Sequence, residues 1–286
     1  MSDAREWSRH DSVRCVRVPG PEDDKYSRGV VGLRTGSAAY PGAAVLGVEA
    51  AWRAGAGFVR YIGDGRAADA VMARRPETVV SPQAAGARVG AWVIGSGTDP
   101  AMRTADDERE LRGILDGEVT VVVDAGALDL AAGSRAPVLL TPHGREFARL
   151  QERIGSAPHE DRARAAADVA TRLGAVVLLK GAQTLIADPD GSVIRVDAGT
   201  GWLATAGTGD VLGGVLGALL AANPDARIAE VAATGAWLHG HAGRIAAGIG
   251  AQSYGHGHGH GHGHGHPIVA LDVAEALPRA IADVLA

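Results

Sequence analysis

The sequence predicts an α/β fold, a central and mostly parallel sheet with helices on both faces. Three observations predict it. Strand-like and helix-like segments alternate along the chain, the pattern of a parallel sheet covered by helices. Several strand-like segments, among them Val119–Val123 and Ala175–Leu179, have almost no polar break, which suits strands buried on both faces. The chemically unusual residues Gly97, Asp124, His143 and Lys180 fall just past strand ends. Ligands of such sheets bind outside the carboxyl ends of the strands, so these residues should converge.

The elements follow in order. Residues 1–24 are polar, carry Pro19-Gly20-Pro21, and read as an arm or early strand. Val30–Leu33 is a short buried strand ending in the turn residues Arg34-Thr35-Gly36-Ser37. Pro41 opens a helix, as a first-turn proline can. Val45, Leu46, Val48 and Trp52 form its apolar face, and Gly55-Ala56-Gly57 stops it. Phe58–Ile62 is a strand, Ala67–Ala73 a helix, Glu77–Val80 extended, and Ala91–Ile94 a strand ending in Gly95-Ser96-Gly97. A polar helix covers about Thr104–Leu115, Val119–Val123 runs to Asp124, and Val138–Leu140 leads into Thr141-Pro142-His143-Gly144. A helix over about Glu160–Leu173 precedes the strand Ala175–Leu179, which ends at Lys180-Gly181. Thr184–Ala187 and Val193–Val196 form a hairpin around Asp188-Pro189-Asp190-Gly191. Helices close the chain at about 208–221, 228–247 and 271–285. With no interdomain linker in view, residues 25–286 read as one domain.

Composition excludes several classes. A net charge of −5 and the lack of a basic run leave out the electrostatic footprint of a nucleic-acid binder. One cysteine, Cys15, excludes an intramolecular disulfide and a four-cysteine zinc site. The charged N-terminus has no apolar signal core, and no run of about 20 apolar residues suggests a membrane span; the expectation is a cytoplasmic protein. Gly255–His266 is six Gly-His pairs. Alternating glycine holds no helix and the segment has nothing to bury, so it reads as a mobile loop expansion. Its imidazoles would bind nickel, zinc or copper in vitro. A fixed metal site needs ligands with supporting partners, which this tract lacks, so no metal ligands are assigned; metal buffering is the other reading.

The chain is organised around Thr200–Leu220, where Ala206-Gly207-Thr208-Gly209 is followed by Asp210 and an apolar run. This is a loop that becomes a helix. Its glycines allow close backbone approach, and its first N–H groups favour an anion. A carboxylate at an anion-binding position suggests a base or a metal-facing group. The plainer reading is that Thr208 caps the helix and Asp210 suits its positive end. Lys180, beside Gly181 and four residues before Thr184, can reach a phosphate or simply start the hairpin in solvent. No GxxxxGK[ST], complete GxGxxG, HExxH or nucleophile elbow is present. His239 and His241, two apart on a helix, are a poor metal pair.

Together these segments resemble the ATP- or ADP-dependent NAD(P)H-hydrate dehydratases, which have a ribokinase-like fold. The resemblance runs from about Lys25 to the C-terminus. Gly36–Ala44 resembles the family's GxxxYTGAA loop, Trp52–Gly57 its LRAGAGLV segment and Val123–Leu128 its DADAL. Leu140–His143 with Glu146 and Phe147 resembles LTPHPGEFARL, Lys180–Thr184 its KGxxT, and Leu203–Leu212 is nearly LATAGSGDVL. The resemblance implies that Lys180, Gly181, Ala182, Gln183, Thr184 and Gly209 line an adenine-nucleotide site. The amides of Gly207, Thr208 and Gly209 would cradle the moving phosphoryl group. Ala43, Gly97, His143 and Asp210 would contact a hydrated nicotinamide substrate, NAD(P)HX, with Asp210 the catalytic base. ADP or ATP as co-substrate, magnesium with it, and a homotetramer are also implied.

The chain departs from the pattern at Pro41 for Thr, Asp99 for Gly, Gly144-Arg145 for Pro-Gly, and Gly201-Trp202 before LATAG. The epimerase domain that precedes this region in some relatives is expected to be absent. The alternatives are a ribokinase-like kinase of a thiazole or hydroxymethylpyrimidine type, which would leave a stable phosphoester, or a catalytically silent nucleotide-binding module.

Overall fold

The computed structural model describes residues 4–250 and 264–286. Most of Gly255–His266, with the loop expected there, lies outside the described residues.

The elements are β1 (Arg5–Glu6), α1 (Arg9–Ser12), β2 (Val30–Arg34), α2 (Pro41–Arg53), β3 (Phe58–Ile62), α3 (Gly65–Arg74), β4 (Val79–Ser81) and β5 (Ala91–Ile94). There follow α4 (Ala105–Leu115), β6 (Thr120–Val123), β7 (Val138–Leu140), α5 (Gly144–Ile154), α6 (Arg162–Leu173) and β8 (Val176–Leu179). Last come β9 (Thr184–Ala187), β10 (Val193–Val196), α7 (Thr208–Ala222), α8 (Ile228–Ala246) and α9 (Ala270–Leu285). Ten strands form one sheet in the order β1-β10-β9-β8-β7-β6-β5-β2-β3-β4. Only β9 runs against its neighbours β8 and β10; the other pairings are parallel. The anticipated hairpin is therefore present, attached to a parallel sheet.

From β2 the chain steps through β3 to β4, then returns to the other side of β2 and continues from β5. The carboxyl ends of β2 and β5 therefore flank a switch point, where open parallel sheets form a crevice. One core, with Leu33, Val48, Leu216 and Leu238, lies under α2, α7, α8 and α9. The other, with Ile94, Leu140, Phe147 and Val169, lies under α4, α5 and α6. Full burial of a side chain such as Leu216 contributes about 1.5–3 kcal/mol. Helix α7 is buried along nearly its whole length, as expected of a helix apolar on every side, so its first turn is held rigidly against the sheet.

Capping chemistry sets several boundaries. Pro41 is the first residue of α2. Thr104 caps α4 reciprocally with Asp107, and Asp161 caps α6 by accepting from the amides of Ala163 and Arg164. Residues 5–15 pack against the sheet. β1 pairs with β10, and Trp7 is only 2% exposed, its indole N–H donating to the Ser12 hydroxyl. Among the described residues no helix is long and apolar enough to cross a membrane.

Candidate active site

The site is built where α7 begins against the carboxyl ends of β5, β6, β7 and β8. Gly207 precedes the helix with φ +90°, a left-handed conformation that glycine adopts without strain. The amide of Val211 donates to the Gly207 carbonyl (3.1 Å). The amides of Thr208, Gly209 and Asp210 precede that first helical bond and have no acceptor among the described residues. They form the anion-binding end of the helix.

Asp124, just past β6, is the polar hub. Its side chain is 5% exposed and takes three donors: Lys180 Nζ at 2.9 Å and the Thr141 hydroxyl at 2.8 Å on Oδ1, and the Ser96 hydroxyl at 3.0 Å on Oδ2. Four strand ends are thereby tied together. Burial opposes the Lys180 charge, but Asp124, with smaller contributions from Glu146 and Asp210, outweighs it and holds the ammonium pKa above its ordinary value. A methyl group on Gly209 would lie 3.5 Å from Lys180 Nζ, so the lysine head sits directly under the α7 amides.

Asp210 lies in the first turn of α7. Burial, reinforced by the Asp124 charge and only partly countered by Lys180, raises its pKa to about 6. A carboxylate so placed is ionised at neutral pH and basic enough to accept a proton from a substrate hydroxyl. Beneath it, His239 Nε2 contacts the Thr208 carbonyl at 2.9 Å. Burial lowers the His239 pKa to about 4, so the ring is neutral and, facing a carbonyl, must donate from Nε2. His239 thus pins the helix start. It serves as a support and not as half of a metal pair.

Other anticipated residues fall on the same edge. Ala43 in α2 and Gly97 past β5 meet closely: a methyl on Gly97, whose φ is +67°, would lie 2.3 Å from Ala43 Cβ. Gly36 joins them through its amide bond to the Ser96 carbonyl (2.7 Å). Lys180 joins the β7 end, its amide donating to the Pro142 carbonyl (2.9 Å). His143 stands next to that carbonyl and caps α5: Nδ1 accepts from the amides of Arg145 and Glu146, and Glu146 returns a bond to the His143 amide. Its Nε2 lies 3.5 Å from Glu146 Oε1, and the side chain is 44% exposed. Gly181, Ala182 and Gln183 form the exposed turn between β8 and β9, and Gln183 reaches Asp197. The Thr208 hydroxyl does not face this space. It points back to the carbonyls of Leu203 and Thr205, so Gly207, not Thr208, is the cap and only the Thr208 amide is available to a ligand.

The departures find local roles. Asp99 caps the turn Pro100–Met102 by accepting from the Ala101 amide. The Trp202 indole donates to the His264 carbonyl (2.7 Å). Ala125, next to Asp124, has φ +43°, a strained conformation for a non-glycine residue. Arg103 braces the turn that follows with a two-pronged pair to Asp129 and a bond to the Gly126 carbonyl.

No three His, Cys, Asp or Glu side chains converge among the described residues. A magnesium ion held mainly by phosphates and water needs only one or two protein carboxylates, and Asp210, in the first turn of α7, is one beside the amides.

A sequence model for NAD(P)H-hydrate dehydratase matches residues 31–253. The chain is 51% identical over 214 residues to a bifunctional NAD(P)H-hydrate repair enzyme of Mycobacterium tuberculosis, covering 71% of this chain and 43% of that protein. It thus spans less than half the length of that relative. It is 36% identical over 237 residues to an ADP-dependent (S)-NAD(P)H-hydrate dehydratase of Neisseria meningitidis, covering 77% and 78% of the two chains. The crystal structure of an ADP/ATP-dependent NAD(P)H-hydrate dehydratase of Bacillus subtilis, grown with ATP and Mg2+, superposes with a TM-score of 0.81 at 26% identity over 99% of each chain. A solved ribokinase-like superfamily protein of Enterococcus faecalis, 22% identical with a TM-score of 0.80, shares the fold. With the model match covering more than half of its length, the chain belongs to the NAD(P)H-hydrate dehydratase family.

Proposed function

We propose that this chain carries out the nucleotide-dependent dehydration of hydrated NADH or NADPH. The observation that carries the reading is the raised carboxylate of Asp210 beside free helix-start amides and the Lys180–Asp124 pair. The substrate hydroxyl attacks the terminal phosphorus of ATP or ADP while Asp210 accepts its proton, and the shortened nucleotide leaves. The ring then loses inorganic phosphate together with a ring proton, which restores the reduced nicotinamide. The oxygen of the added water ends in the phosphate. The amides of Gly207–Gly209 stabilise the moving phosphoryl group, and Lys180 and the Gly181–Thr184 turn hold the nucleotide. Ala43, Gly97 and His143 line the substrate side. Most of the gain comes from positioning and charge stabilisation. Magnesium brought with the nucleotide would neutralise phosphate charge, with Asp210 the carboxylate that could hold it.

The test is product stoichiometry. Phosphorus NMR of hydrated NADH incubated with ATP or ADP should show one free phosphate for each NADH restored. A stable phosphoester would make the chain a small-molecule kinase instead. The reading extends to one catalytic domain over 25–286 with residues 1–24 as its arm, working as a cytoplasmic homotetramer. Light scattering on the purified protein checks the assembly.

A further inference from the structure

The nucleotide turn has a cation that the reading above leaves without a task. Arg162 is the first residue of α6, fixed there by the Asp161 cap. Its guanidinium crosses to the β8–β9 turn, where Nη2 donates to the Lys180 carbonyl and Nη1 to the Gln183 carbonyl, both at 3.4 Å. These carbonyls bracket Gly181 and Ala182. A methyl on Gly181 would lie 2.6 Å from Nη2, so the guanidinium rests directly on the glycine.

The charge balance gives this contact a meaning. The terminal phosphates of ATP or ADP bring several negative charges. Lys180, the cation deepest in the site, is already neutralised by Asp124, and Asp210 adds a negative charge once ionised. Arg162 is not spent in this way. Its side-chain partners are the neutral carbonyls of Lys180 and Gln183. Two of its donors are used at long distance, and the rest of the fork is open to an acceptor. An arginine presents a planar, permanently charged fork that suits phosphate.

We propose that Arg162 is a nucleotide-binding residue, contributing its positive charge to the phosphates of the nucleotide held on the Lys180–Thr184 turn. This rests on the nucleotide-dependent reading above. The test is calorimetric binding of ATP and ADP to wild type, Arg162→Gln and Arg162→Lys at low and high salt. Gln keeps a neutral donor for the carbonyls, and Lys keeps the charge. Arg162→Gln should weaken both nucleotides about tenfold, the scale of one charge-assisted hydrogen bond, and flatten the salt dependence. Arg162→Lys should recover most of the affinity. Gln binding within twofold of wild type overturns the proposal. So does an equal loss in Gln and Lys with unchanged salt dependence, which would make Arg162 a brace only. A wild type that binds neither nucleotide would instead overturn the functional reading beneath it.

Discussion

Asp210→Asn should separate what this carboxylate does from what it costs. An aspartate ordinarily titrates at 3.8, and burial raises Asp210 to about 6 in the folded protein. The folded state therefore holds this proton more tightly than the unfolded one. Below 3.8 both states are protonated and the group contributes nothing; as pH rises the unfolded chain ionises first, and stability falls until the folded carboxylate ionises near 6. At about 1.4 kcal/mol per factor of ten, the gap from 3.8 to about 6 costs roughly 3 kcal/mol at pH 8 and about half of that at pH 5. Asn has the same shape and no charge to desolvate. Specific unfolding entropies for a chain this long convert 3 kcal/mol into a Tm rise of ~5 °C at pH 8 and ~3 °C at pH 5, as upper figures. Scanning calorimetry of both proteins at the two pH values measures this. A variant no more stable than wild type at pH 8, or a gain no larger at pH 8 than at pH 5, refutes the reasoning. The variant is expected to be more stable and inactive, the usual trade at a strained functional group.

Other perturbations have equally definite outcomes. If Asp210 acts as a base, wild-type kcat/KM rises with pH on an acid limb centred near 6; a flat profile from pH 5 to 8 would contradict that role. Lys180→Met removes the cation that lowers the Asp210 pKa, so any residual activity should show that limb displaced to higher pH. It also leaves Asp124 buried without its ion partner, which should cost about 3–5 kcal/mol in urea unfolding. His143→Ala should lose about 1 kcal/mol through the α5 cap, whereas His143→Asn, which can still cap, should keep stability. If His143 also contacts substrate, both variants raise KM for the hydrate without changing nucleotide affinity, and steady-state kinetics with each substrate varied in turn separates the two effects.

Much of this was legible in the sequence because the strands are continuous apolar runs and their ends carry the polar residues. Val176–Leu179 ending at Lys180, and Gly207–Asp210 before an all-apolar helix, are local patterns that one linear reading captures. Helix α5 was not anticipated. It begins with Gly144-Arg145, and its start signal is a histidine cap. The reciprocal pairing of His143 with Glu146, and Phe147, Leu150 and Ile154 at helical spacing, are what could have revealed it. The Asp124 hub was visible only as a strand end, because Ser96, Thr141 and Lys180 lie 28, 17 and 56 residues away. The pairing of β1 with β10 depends on similarly distant contacts. His239 and Arg162 gave no local signal either: one supports a helix start 31 residues earlier, and the other rests on a turn that only the sheet brings to it.

The most direct test of Asp210 as the catalytic base is a side-by-side assay of wild type and Asp210→Asn. Each is incubated with hydrated NADH and ATP or ADP near neutral pH, following the return of reduced-nicotinamide absorbance, with nucleotide affinity measured in parallel. Wild type should restore NADH only when nucleotide is present. The variant should bind nucleotide nearly as well and turn over about 10²–10⁴-fold more slowly. Turnover by the variant at the wild-type rate would contradict the account.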